Sequence, residues 1–88
     1  MTRKELYKKL NGKKVVCKSK TRFSNGEKMG IFKSGRMSFT IKHIQPLKRI
    51  EYSETKYFLY KNDEIQDLGE CILIRRNAIK SKILIFVA

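Results

Sequence analysis

The sequence predicts a small, mostly β protein: one antiparallel barrel preceded by a short N-terminal helix. Three observations carry the prediction. The apolar pattern has helical spacing only as far as Asn11-Gly12, and a period of two beyond it. Five to seven short strand patterns follow, separated by Gly and Asn turns. At 88 residues the chain is one domain, and a two-sheet sandwich is less easily built from it.

The helical lead-in covers residues 1–12. Thr2 followed by Glu5 has the spacing of a capping box, and Leu6 and Leu10 share one helical face with Tyr7 beside them. Asn11-Gly12 ends the helix. Lys13 to Lys20 reads as a strand, with Val15 and Cys17 on one face. Arg22 to Glu27 reads as a loop around Ser24-Asn25-Gly26, and Lys28 to Lys33 as a short strand closed by a Ser34-Gly35 turn. Arg36 to Ile44 alternates most cleanly, with Met37, Phe39 and Ile41 on one side. Pro46 interrupts that run, and Leu47 to Tyr52 and Lys56 to Lys61 read as two more strands. Asn62-Asp63 turns the chain, Leu68-Gly69 punctuates it, and Glu70 to Arg75 is a further strand. Residues 77–88 fit either a short helix with an extended tail or a final strand.

Charge is the strongest signal of function. Twenty-one Lys and Arg oppose eight Asp and Glu, giving a net charge of +13 and a pI near 10.1. Self-repulsion at that density favours a polyanionic partner. The charge is also uneven. Residues 1–50 hold fifteen basic and two acidic side chains, residues 51–70 two basic and six acidic, and residues 71–88 four basic and no acidic. A surface facing phosphates should exclude carboxylates. With nucleic acid as the common polyanion, the 51–70 segment is therefore expected to face away from it, toward solvent or, through Glu51, Glu54 and Asp67 as a candidate edge, toward a protein partner. The cations sit on strands and their loops rather than in one block, as expected of a folded surface that reads phosphate and shape.

Several functions are disfavoured. No apolar run approaches the roughly 20 residues that span a bilayer, and the basic N-terminus lacks the apolar stretch of a secretory signal. The chain is thus expected to be intracellular and not to bind membranes. Two distant cysteines, Cys17 and Cys71, and the single His43 make no metal-ligand spacing, so no cofactor is expected on this chain. Both cysteines read as small buried hydrophobes. His43 has no evident acid–base partner, and no phosphate-cradling glycine motif is present.

The order of several segments adds a family resemblance. Leu10 through Gly12 to Lys20 resembles the opening strand of the barrel-type protein subunit of ribonuclease P, the archaeal protein component 1 family, shared in eukaryotes with ribonuclease MRP. Gly26 and Gly30 stand in the family's following loop. Met37 to Lys42 resembles its next strand, Leu47 to Ile50 its basic-apolar step, and Lys56 to Tyr60 its aromatic strand. Gly69 to Arg75 keeps the gap between a turn glycine and an arginine, and Lys80-Ser81-Lys82 supplies the late lysine-rich stretch. The resemblance spans residues 10–83. Arg76 stands where the family commonly has Pro, the turn after Gly30 is shorter, and Ile50-Glu51-Tyr52 replaces Ile-Pro-Lys. Ile74-Arg75-Arg76-Asn77 also resembles the Ile-Arg-Gly-Asn loop of Sm and Sm-like proteins, with Arg in place of Gly.

Both resemblances imply a small antiparallel Sm-like (SH3-like) barrel that binds RNA. The first implies a subunit that braces the catalytic RNA and helps position precursor tRNA for 5′ processing. The RNA, with its own metal ions, then performs the cleavage, and this chain supplies no catalytic residue. Candidate phosphate contacts are Lys13, Lys14, Lys18, Lys20, Arg22, Lys33, Arg36, Arg75, Arg76, Lys80 and Lys82, with Arg75 matching the family arginine. Expected partners are ribonuclease P RNA, precursor tRNA and other protein subunits, including a zinc-ribbon subunit. The expected setting is the nucleus or nucleolus in a eukaryote and the cytoplasm in an archaeon. The Sm resemblance implies instead a ring of six or seven copies on uridine-rich RNA, acting in splicing or mRNA decay. A third reading, independent of both, is a small basic protein that binds an acidic protein.

Overall fold

The computed structural model describes residues 1–21, 25–43 and 54–88, with only the backbone of Ala78. In chain order these form α1 (Arg3–Leu10), β1 (Lys14–Lys20), β2 (Asn25–Ser34), β3 (Ser38–His43), β4 (Glu54–Phe58), β5 (Glu64–Asp67) and β6 (Ile72–Arg76). A 3-10 turn (Asn77–Ile79) and β7 (Ser81–Val87) complete the chain. All seven strands join one antiparallel sheet in the order β4-β3-β2-β1-β7-β6-β5. Two meanders, β1 to β4 and β5 to β7, are thus stitched together where the last strand pairs with the first, from Val15 opposite Val87 to Lys20 opposite Lys82.

Strand alternation sorts the side chains. Val15 and Cys17 of β1, Phe32 of β2, Phe39 and Ile41 of β3, Ile72 and Ile74 of β6 and Ile85 of β7 are buried on the concave side. Phe32 and Phe39 stack at 4.8 Å between ring centroids, and Phe39 stacks on Tyr57 of β4 at 5.2 Å. Tyr57 also bonds to Cys17 and Ser19 of β1, which is three places away in the sheet order. That contact requires the sheet to curl on itself into a barrel-like shape. Gly30 accommodates the bend: a Cβ there would lie 2.1 Å from the backbone oxygen of Lys42 on β3.

Helix α1 covers one end of this barrel with Leu6 and Leu10, both fully buried. The Thr2 hydroxyl accepts from the Glu5 amide and the Glu5 carboxylate accepts from the Thr2 amide, completing the capping box. The helix also ties the two flanks of the sheet together. The Tyr7 hydroxyl donates to the Ser38 carbonyl of β3 at 2.9 Å, while Lys9 pairs with Asp67 of β5 at 2.7 Å. Gly12, at φ +82, turns the chain from helix into β1, and its amide donates to Phe32.

The mostly β barrel-like architecture and the N-terminal helix agree with the sequence expectation. Individual elements differ. The expected loop at residues 22–27 is shorter, because Asn25-Gly26-Glu27 already pair with β1 as the start of β2. The clean alternation expected from Arg36 begins only at Ser38. Met37 lies in the turn and is exposed, so it does not share the buried face of Phe39 and Ile41. Strand β5 fell between two expected turns, and residues 77–88 hold both a helical turn and a strand. Lys80, in the left-handed conformation at φ 51, separates those two. The strand expected at Leu47 to Tyr52 lies outside the described residues. His43, which has no evident acid–base partner in the sequence, shares a 2.8 Å hydrogen bond with the Thr55 hydroxyl.

Candidate nucleic-acid interface

The alternation that buries Val15 and Cys17 turns Lys14, Lys18 and Lys20 to the convex side. The same rule places Lys33 of β2, Lys42 of β3, Lys56 of β4, Arg75 of β6 and Lys82 of β7 on that side, all exposed. Cross-strand register aligns some of them. Lys20 is directly opposite Lys82, and Lys82 directly opposite Arg75, so three cations form a row across β1, β7 and β6. Like charges facing each other on adjacent strands repel, so this row destabilises the free protein. Glu64 of β5 ends the row and bonds to Arg75 at 3.0 Å, and both side chains are about half exposed. Among the described residues neither Lys20 nor Lys82 forms an ion pair. Lys18, one outward position along from Lys20, lies over the Phe86 ring at 5.4 Å. Lys18, Lys20 and Lys82 line one shallow surface groove with Ser19, Asn25 and Glu27.

Arg76 has a different environment from Arg75, because the next strand position faces the other way. Its guanidinium donates twice to Asp63, at 2.9 Å to each carboxylate oxygen, and once to the Phe58 carbonyl at 3.0 Å. It also lies 4.1 Å from the centroid of the Tyr60 ring. The Asp63 side chain is only 3% exposed, and the Arg76 hydrogen bonds hold its carboxyl below the usual carboxylate range. This clamp links β6 to the end of β4, two strands that are not neighbours in the sheet. Beside it is a recess lined by Tyr57, Phe58, Tyr60, Ile79 and Lys82.

The remaining sequence candidates are dispersed. Lys13 is exposed just before β1, Arg36 lies in the turn before β3, and Lys80 follows the 3-10 turn. Arg22 and Glu51 lie outside the described residues. Glu54 is exposed on β4, opposite Lys42. Within the acidic segment, Asp63, Glu64 and Asp67 each pair with a cation of this chain: Arg76, Arg75 and Lys9. Asp67 is held below the usual carboxylate range, first by its bond from Lys9 and then by the Gly69 amide. Lys42, Lys56 and the exposed rings of Phe58 and Tyr60 escaped the sequence reading. The spacing of Lys56 and Phe58, two apart on one strand, was the available signal.

Among the described residues there is no cluster of His, Cys, Asp and Glu suited to a metal ion, and no helix long and apolar enough to cross a membrane. Both cysteines are free. Burial, mainly, pushes the Cys17 thiol up to about 12, which leaves it without thiolate character at neutral pH. No family model, curated protein or solved structure matches the chain.

Proposed function

We propose that this protein binds RNA through its convex face, with Lys20, Lys82 and Arg75 at the centre of the phosphate contacts. The observation that carries this reading is the aligned row of three cations on adjacent strands. Such a row costs the free protein stability and gains it when phosphates enter between the charges. Arg75 takes part by exchanging an exposed glutamate for a phosphate, a replacement of one solvated ion pair by another. The role that fits a strongly basic barrel is structural: a subunit of ribonuclease P that braces a folded RNA in which the chemistry resides. The family resemblance of residues 10–83 supports that finer assignment.

The test is equilibrium binding to a precursor-tRNA transcript over a range of salt concentrations, for the wild type and for K20Q, K82Q and the double variant. Each lysine that touches phosphate should lower the slope of log K against log salt by about one. An unchanged slope and affinity in the double variant would remove the row from the interface. For the finer assignment, protein purified from its own cells should carry along an RNA that cleaves precursor tRNA at its 5′ end.

One observation favours a second partner of protein nature. Met29 and Ile31 are exposed on the convex side of β2, next to Val16 of β1 and Phe86 of β7. A contiguous exposed apolar patch of this kind suits a protein neighbour within a ribonucleoprotein. A partner captured through it should stay bound after nuclease treatment and be released by Met29→Lys.

A further inference from the structure

We propose that the recess beside the Arg76 clamp is a stacking site for an unpaired base, which makes the preferred ligand single-stranded RNA. The inference rests on the RNA-binding reading and narrows its ligand. Phe58 is 54% exposed and Tyr60 56% exposed, whereas Phe32 and Phe39 are fully buried. These two rings are not spare core residues. Tyr60 lies under the Arg76 guanidinium at 4.1 Å, and that guanidinium is fixed by Asp63 and the Phe58 carbonyl. Lys56 lies 5.4 Å from the Phe58 ring centroid. Aromatic rings held beside cations are the recurring means of gripping bases and backbone together without reading sequence.

Continuity with the phosphate row strengthens the case. Ser19 and Lys82 line both the groove on the cationic row and the aromatic recess. A strand whose phosphates track Lys20 and Lys82 can therefore turn its next base into the recess, against both Tyr60 and Phe58. A duplex cannot, because its bases are already stacked and paired.

The test compares a twelve-nucleotide RNA, bearing one 4-thiouridine, with the same strand annealed to its complement. The wild type should bind the single strand about tenfold more tightly than the duplex, the typical contribution of one stacked base. Y60L and F58L should each lose most of that preference while duplex binding holds, and Y60F should keep it. Irradiation should crosslink the single strand to the peptide that contains Tyr60. Equal affinity for both forms, or undiminished single-strand preference in Y60L and F58L, would overturn the stacking site while leaving the phosphate row standing. Absence of binding to either form would overturn both. Melting temperatures of the variants separate a lost site from a lost fold.

Discussion

Arg76 and Arg75 are adjacent in sequence and unlike in role. Arg75 points to the convex surface and meets a half-exposed glutamate, an ion pair of small net worth. Arg76 closes the gap between β4 and β6 over an almost fully buried carboxylate. Removing it strands that charge, so Arg76→Ala should destabilise the protein by about 3 kcal/mol in urea unfolding, and Arg75→Ala by less than about 0.5 kcal/mol. The carboxyl of Asp63 is lowered in the folded state, so its contribution is present above the unfolded pKa of about 3.9 and fades as pH falls through the lower folded value. Melting temperature should therefore drop more steeply below about pH 4 in the wild type than in Asp63→Asn. In sequence the two arginines are indistinguishable as basic residues. What separates them is strand phase together with Asp63, which is thirteen positions from Arg76 in sequence and meets it only once the sheet curls. Cys17 was legible as a buried hydrophobe. It should resist thiol reagents in the folded protein and react once the chain is unfolded, as mass spectrometry of the labelled protein can show.

Among the elements, α1 closes one end of the barrel and β2 joins β1 to β3. The capping box makes Thr2→Ala cost about 1 kcal/mol. Leu6→Ala, which empties a fully buried position under the helix, should cost about 2–5 kcal/mol in the same unfolding measurement. Gly30 lies where β2 meets both β1 and β3, and a Cβ there collides with backbone rather than with a yielding side chain. Gly30→Ala should destabilise by about 1–3 kcal/mol, against a smaller effect for Gly26→Ala, whose Cβ would meet only the Ser19 hydroxyl, at 3.0 Å. The helix, β1 and the core of β3 were readable because their apolar residues repeat at a clear period. Strand β5 was not, because its four residues Glu64–Asp67 include one apolar side chain, Ile65, and a single position has no period. The last segment was ambiguous for another reason. Its helical turn and its strand meet at Lys80, a lysine in a left-handed conformation that sequence alone would assign to Gly or Asn.

At the scale of the whole molecule, the separation of charge by sequence segment does not become a separation of faces. Acids at positions 63, 64 and 67 fold back onto cations of the helix and of β6 and neutralise them locally. The lysines of β1, β2, β3 and β7 keep the convex face cationic. The candidate site was thus half legible: its lysines follow from alternation, and its aromatic recess from a curl that no local pattern encodes. A net charge of +13 should make the free protein more stable as salt rises from low concentration, since screening relieves self-repulsion. The same repulsion should keep it a monomer without RNA in sedimentation equilibrium, and a ring of six or seven copies would favour the Sm-type assembly instead. The proposed RNA partner is tested most directly by ultraviolet crosslinking of the protein in its own cells, followed by sequencing of what is bound. Strong enrichment of one structured RNA is expected, with crosslinks at unpaired nucleotides. Recovery of no RNA above an uncrosslinked control would contradict it.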